Sequence, residues 1–482
     1  MQRSPAHSVG RRVLLNTGAL AGSNLWRIVV SFLLQLLVAR RLGLESLGHY
    51  TVAMAFLNVS QVISELGLPV LLVRELAQQP SLRRATVRQA LGVQLLAALL
   101  AALGLVALAQ VLPLAPELRA ALWLVGASLP FFAVTSVGET LFQAAEQMEL
   151  LLFVEALTNL LIVAISIAVL WQGGGVVALL GVVVFTQALS AAFVVWLTFS
   201  RRLFDGPQHP ARRSPRRLAQ EAAPFFGLTL ADTLLQRLDI LLLGILAGPP
   251  VVGLYSAAYN LVRVAIKLIQ SFWRALYPTL SRLYHASPDH YHRLAAAGLH
   301  LGLLATVGGA AVAAAVAGDL LHLVYATALP QATAALAVLL WTMPLFVLES
   351  AAVTRLLVEG RARAGLALAA LHVAALALLL PPPAWFGGLR TGALGAALAV
   401  LLAQAAAVGV AFWLLGSREM GRALAAQWPL LPGALLAYGA ARWLPAPWPV
   451  QALAGLGVYL LALRLGGMLA PADLRRLRRA LG

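Results

Sequence analysis

Apolar residues run along this chain in blocks of about twenty, separated by short polar stretches. A hydrocarbon layer about 30 Å thick is crossed by a helix of about 20 apolar residues. The pattern therefore predicts fourteen spans, over 14–38, 48–68, 88–112, 119–141, 151–171, 176–199 and 221–247, then 253–276, 294–317, 332–354, 364–384, 391–415, 428–444 and 450–469. An even number puts both termini on one side. The loops on that side hold 24 basic residues and the opposite loops hold five. Excess Lys and Arg mark the cytoplasmic side of a membrane protein, so both termini are expected in the cytoplasm. The fold class that follows is an all-α integral membrane protein.

One short pattern, G-x4-G-x-Y-[S/T]-x-A, occurs at Gly43–Ala53 and again at Gly248–Ala258, 205 positions apart. Each copy follows one apolar segment and opens the next. Six predicted spans separate the copies, so two halves of like orientation are expected, related by an axis along the membrane normal. The basic stretch Arg201–Arg217, with Asp205-Gly206-Pro207 and Ser214-Pro215, is the clearest internal boundary. The expected organisation is a six-helix bundle over 1–200, a basic cytoplasmic linker over 201–218 and a second six-helix bundle over 219–415. Two additional helices and a basic tail follow over 416–482. The linker, and Arg475, Arg476, Arg478 and Arg479 in the tail, read as positive-inside loops rather than headgroup sites.

Composition agrees with the pattern. The chain is 61% hydrophobic and 11% charged, against about 25% charged for soluble domains. No cysteine is present, which removes disulfide, zinc-thiolate and iron–sulfur chemistry. The net charge of +17 is accounted for by loop topology, without nucleic acid. Ala19-Leu20-Ala21 resembles a signal cleavage site, yet the preceding apolar run is short and hydrophobicity continues to Val38, so an uncleaved first span is expected. The sequence offers no phosphate-binding loop of the G-x4-G-K-[ST] kind, no metal-ligand cluster and no nucleophile–base set in a loop. An enzyme, a cofactor and ATP-driven transport by this chain alone are not expected.

Chemistry then has to come from polar residues inside the spans. Asn24, Arg27 and Ser31 share one face of the first span at i, i+3 and i+7. The 205 offset carries that face to Thr229, Asp232 and Gln236 in the seventh span, and Asp239 extends the stripe while Arg237 lies off it. The second span carries Asn58, Gln61 and Glu65 on one face, and the eighth carries Arg263, Lys267 and Arg274 at i, i+4 and i+11. Charges inside a bilayer cost at least about 2–3 kcal/mol each and normally face an interior or a wet cavity. The three cations with Arg27 read as an anion-binding surface. Asn24, Glu65, Asp232, Gln236 and Asp239 read as polar lining or ion-coupling candidates. The competing reading pairs these charges structurally, with Glu139 and Glu155 among the available acids, or lets Arg274 reach lipid phosphate. Glu349 is assigned to an intrahelical pair beside Thr354 and Arg355, and His372 to packing. Tyr50, Tyr255, Trp443 and Trp448 are read as interface anchors.

These residues carry a family likeness. Val38-Ala39-Arg40-Arg41-Leu42-Gly43 leading into Gly48-His49-Tyr50, then Glu65-Leu66-Gly67-Leu68 and Val73-Arg74-Glu75-Leu76-Ala77, resemble the first hairpin of polysaccharide-type flippases. Those belong to the multidrug/oligosaccharidyl-lipid/polysaccharide exporter superfamily. Arg237 to Gly244, Val252 to Ala258 and Tyr277-Pro278-Thr279-Leu280-Ser281 are similar to the start of their second bundle. The resemblance implies two pseudo-symmetric six-helix bundles plus two C-terminal helices in a bacterial inner membrane. It implies alternating-access flipping of undecaprenyl-pyrophosphate-linked oligosaccharide to the outer leaflet for cell-surface polysaccharide. In such flippases cavity arginines engage the pyrophosphate, and Arg27 occupies a comparable place in the first span; the row Arg263, Lys267 and Arg274 departs from the family's motifs, and its assignment to the pyrophosphate rests on charge and spacing. Membrane lipids, polysaccharide polymerases and glycosyltransferases are the implied partners. Two alternatives stay open. One is a multidrug or cation antiporter of the same superfamily. The other is a membrane polysaccharide polymerase or ligase, for which the longest outer loop, Gly318–Gln331, offers only His322.

Overall fold

A computed structural model of the chain describes residues 30–78, 83–204, 214–381, 392–416, 425 and 427–468. The described residues are helices and short connections, with no strand among them. The chain divides into two compact units, Met1–Leu241 and Leu242–Gly482. In the first, helical backbone over 30–42 (α1) is followed by α2 (Leu44–Glu65), α3 (Leu68–Gln78), α4 (Arg83–Val111) and α5 (Pro116–Ala144). Then come α6 (Met148–Trp171), α7 (Val176–Ser200) and most of α8 (Pro215–Leu246). The second unit continues with α9 (Pro249–Ala286), α10 (Pro288–Ala315), α11 (Ala317–Tyr325), α12 (Pro330–Leu339) and α13 (Thr342–Val358). It ends with α14 (Ala362–Leu379), α15 (Ala393–Leu415), α16 (Leu430–Trp443) and α17 (Trp448–Leu465).

Among the described residues, ten helical segments are long and apolar enough to cross a membrane, or eleven when α2 and α3, bent by 42°, count as one span. The pattern predicts fourteen, and the three missing spans have separate reasons. The first has its N-terminal part, 14–29, outside the described residues. α8 is long enough at 32 residues, but Asp232, Arg237 and Asp239 make its second half too charged for an ordinary lipid-facing span. α16 has 14 residues, about 21 Å at 1.5 Å per residue, and falls short of the hydrocarbon thickness.

The repeated pattern is the same backbone turn made twice. Gly43 sits before α2 at φ 88°, ψ 174°, and Gly248 sits before α9 at φ 81°, ψ 171°. This region of backbone space is essentially closed to residues with a Cβ, which explains the first glycine of each copy. The tyrosines differ from their expected role as interface anchors. Tyr50 is 5% exposed and Tyr255 is fully buried, and Tyr255 stacks on Tyr259 with ring centroids 5.5 Å apart.

The break between α2 and α3 has a steric cause. Leu66 closes α2 in the left-handed conformation, and Gly67 follows at φ 72°. A Cβ on Gly67 would lie 2.3 Å from the Phe226 nitrogen and 2.8 Å from the Ala222 carbonyl oxygen. The first half of α8 therefore packs directly on the bend, and Leu218 and Ala222 join a core with Leu68, Leu72, Phe142 and Leu197.

The second unit has two apolar cores. One joins α9, α10 and α13 to the final hairpin through Trp273, Leu303, Val347, Leu430 and Tyr459; the other joins α13, α14 and α15 through Leu356, Leu368 and Ala411. Lipid removes most of the hydrophobic drive for helix association, so close packing and hydrogen bonds have to hold such contacts. Tyr459 supplies both. Its hydroxyl donates to the Leu304 carbonyl at 2.9 Å, and its ring occupies the space a side chain on Gly308 would need, 2.2 Å from an added Cβ.

Candidate functional site

The acidic and cationic candidates fall in different units. Asp232, Gln236 and Asp239 lie on α8 within the first unit, whereas Arg263, Lys267 and Arg274 lie on α9 within the second. Asn24 and Arg27 lie outside the described residues.

On α8 the predicted stripe is partly self-satisfied. Asp232 is exposed, and its Oδ2 accepts from Gln236 Nε2 at 2.8 Å, the i, i+4 pairing that helix geometry favours. Asp239 is 3% exposed and accepts from the backbone N–H of Ile240 at 2.8 Å. Asp239, Gln236 and Arg237 each take part in further interactions. Glu65 is built into helix packing. Its Oε1 accepts from the Ser136 hydroxyl of α5 at 2.8 Å. Its carbonyl is one that the end of α2 leaves without a helical partner, and it accepts from Gln94 Nε2 of α4 at 3.5 Å. Helical spacing groups Glu65 with Asn58 and Gln61, whereas its contact with Ser136 crosses 71 positions.

α9 presents two unlike faces. Leu261, Ala265, Leu268 and Ile269 line an apolar cavity of about 430 Å³ with Thr306, Leu336 and other residues of the second unit. At about 100° per residue, Arg263 and Lys267 fall on the opposite side of the helix. Both are half-buried and both are engaged in interactions, while Arg274 is exposed. The charge of Arg263 is felt at Tyr325, which ends α11 and donates to the Ala257 carbonyl at 3.2 Å. Burial pushes the Tyr325 phenol up to about 12, against the opposing pull of Asn260 and Arg263. Tyr325 is a partner that sequence spacing could not indicate, because 62 positions and a separate helix intervene. Among the described residues no group of three or more His, Asp or Glu side chains is placed to hold a metal ion.

Two further residues depart from the sequence reading. Arg355 pairs with Glu359 at 2.7 Å rather than with Glu349. Glu349 instead meets His372, whose ring nitrogen lies 3.0 Å away, so His372 is not a solitary packing residue. A signal was available: each is a rare polar side chain in the middle of an otherwise apolar helix.

Comparisons place the chain among known proteins. A family model described as polysaccharide biosynthesis protein matches residues 13–284, more than half of the chain. A comparison with curated protein sequences finds no match. Among solved structures, the chain is similar to the lipid II flippase MurJ in an inward closed conformation, with TM-score 0.71 and 13% identity. That likeness covers 94% of this chain and 98% of the other. It is also similar to an inward-facing multidrug resistance MATE transporter of the MOP superfamily, with TM-score 0.63, 14% identity and coverage of 83% and 95%. A third likeness is to a MOP superfamily transporter from Pyrococcus furiosus described as having a binding pocket of reverse polarity. There the TM-score is 0.54, the identity 14% and the coverage 86% and 96%. These likenesses establish the fold. The chain belongs to the polysaccharide biosynthesis protein family and is a multi-pass membrane protein whose fold is similar to those of MurJ and MATE.

Proposed function

We propose that this protein is a flippase that carries undecaprenyl-pyrophosphate-linked oligosaccharide from the cytoplasmic to the outer leaflet of a bacterial inner membrane by alternating access. The observation that carries the reading is the row of Arg263, Lys267 and Arg274 on one helix of a chain in this family. A pyrophosphate bears at least two negative charges. Two opposite unit charges at 4 Å attract by about 1 kcal/mol in bulk water and about 4 kcal/mol at an effective dielectric constant of about 20. A partly enclosed cation row therefore holds such a head where bulk solvent would not.

The row suits passage as well as binding. Four residues separate Arg263 from Lys267, about 6 Å along the helix, and seven separate Lys267 from Arg274, about 10 Å. A pyrophosphate reaches neighbouring cations but not all three at once. Arg263 and Lys267 already hold interactions of their own, so the head exchanges with existing partners and can leave again. Arg27 belongs to this reading through the sequence alone. Polymerases and glycosyltransferases that use the same lipid are the expected partners.

A second reading has a specific basis. Asp232 and Asp239 on α8 are what a cationic drug would seek, and one structural likeness is to a multidrug transporter. Thermal unfolding of the purified protein separates the two. A ligand at about 100 times its Kd stabilises by about 2.7 kcal/mol. Undecaprenyl-pyrophosphate oligosaccharide is expected to raise the Tm of the wild type and to do so far less for Arg263→Ala with Lys267→Ala. Stabilisation by lipophilic cations, with none from the pyrophosphate lipid, would favour the antiporter.

A further inference from the structure

Three consecutive helices of the second unit each contribute one polar side chain to a single point. Glu349 of α13 is 8% exposed. Its Oε1 lies 3.0 Å from Nδ1 of His372 on α14, and its Oε2 accepts from Nε2 of Gln404 on α15. Both carboxyl oxygens are thus occupied, one by a titratable ring and one by an amide donor. Gln404 is the only polar amide or charged residue in the 23 residues of α15, so its place in the cluster is not incidental to a polar face.

We infer that Glu349, His372 and Gln404 form an intramembrane proton-binding site. The proton count is simple. One proton always lies in the Glu349–His372 hydrogen bond. A second, on the far ring nitrogen of His372, makes the cluster neutral, whether it is written as carboxylate with imidazolium or as carboxylic acid with imidazole. Without it the cluster carries one negative charge, with Gln404 as a fixed donor that stays neutral throughout. An uncompensated charge at this depth costs at least about 2–3 kcal/mol, so loading and unloading of this proton biases how the three helices are arranged. The His372 and Glu349 side chains retain 11% and 10% of their accessibility, too little for full solvation.

α12 and α15 carry no other titratable group. On α14, Arg363 is nine residues from His372, about 13 Å along the helix. On α13, Arg355 is held by Glu359. α10 brings His300, whose ring bonds Gln427 at 2.7 Å, Tyr291 in its first turn, and Asp289, His290, His292 and Arg293 around it. α9 bears Arg263 and Lys267 on the side turned away from the cavity it shares with α10 to α13, with Arg274 and Arg282 nearer its end.

The inference goes beyond the flippase reading and does not depend on the substrate. The test is infrared difference spectroscopy on the full-length protein in phospholipid vesicles, titrated with protons alone, with carboxyl and labelled imidazole bands followed together. The wild type should show one component in which both bands respond with the same midpoint. Glu349→Gln should delete it, and His372→Gln should delete it or move its midpoint by about tenfold or more in proton concentration. Gln404→Ala should keep the component with a displaced midpoint. Spectra of Glu349→Gln or His372→Gln that superimpose on the wild type would overturn the site. No lipid-linked sugar enters the measurement, so its failure is separate from failure of the flippase reading.

Discussion

Gly43 offers the cleanest test of a single residue, because the space around its missing Cβ is open. Any cost of Gly43→Ala is therefore backbone strain, about 1–3 kcal/mol for a residue forced into that region. Thermal unfolding should show a lowered Tm with native helix content; an unchanged Tm would refute the strain argument. Gly67→Ala should cost more, since its Cβ meets backbone of α8 at 2.3 Å and backbone cannot rotate away. At this scale the sequence was legible where a rule is local. A repeated glycine before each helix follows from conformation alone. The partners of Glu65 and Glu349 were not legible, because Ser136, His372 and Gln404 are brought in by tertiary packing. Period and spacing place a residue on a face without saying what that face meets.

Among elements, the final hairpin shows why the number of helices says less than their packing. α16 and α17 read from sequence as two extra helices, yet Leu430, Ala434, Ala437, Tyr459 and Leu463 belong to the core of the second unit. Tyr459→Phe keeps the ring over Gly308 and loses one hydrogen bond, so a loss of about 0.6–1 kcal/mol is expected. Gly308→Val removes the space the ring occupies and should release the hairpin. Hydrogen exchange is expected to rise across α16 and α17 while α2 to α7 stay protected. Equal protection of the hairpin in Gly308→Val and wild type would show that Tyr459 is not its anchor. The apolar pattern foretold eleven of the spans because lipid demands length and hydrophobicity directly. α16, with 14 residues, packs on α10, and the charges of α8 suit a helix that faces an interior rather than lipid.

For the whole molecule, family and fold are fixed more firmly than the cargo. The matched region, residues 13–284, contains both stretches whose motifs resembled polysaccharide-type flippases, so the family was readable from residue order. The roles of Arg27, Arg263, Lys267 and Arg274 rest on charge and helix geometry. On the proposed reading, the pyrophosphate, not the lipid tail, is what the protein grips. Flipping of a fluorescent undecaprenyl-pyrophosphate oligosaccharide in proteoliposomes tests this directly, beside the same oligosaccharide on a neutral polyprenyl carrier. The account predicts fast movement of the charged lipid, little movement of the neutral one, and at least about a tenfold loss for Arg263→Ala with Lys267→Ala at normal protein levels, as expected for about 1.4 kcal/mol of lost interaction. Equal rates for the two lipids, or full activity in the double variant, would contradict it.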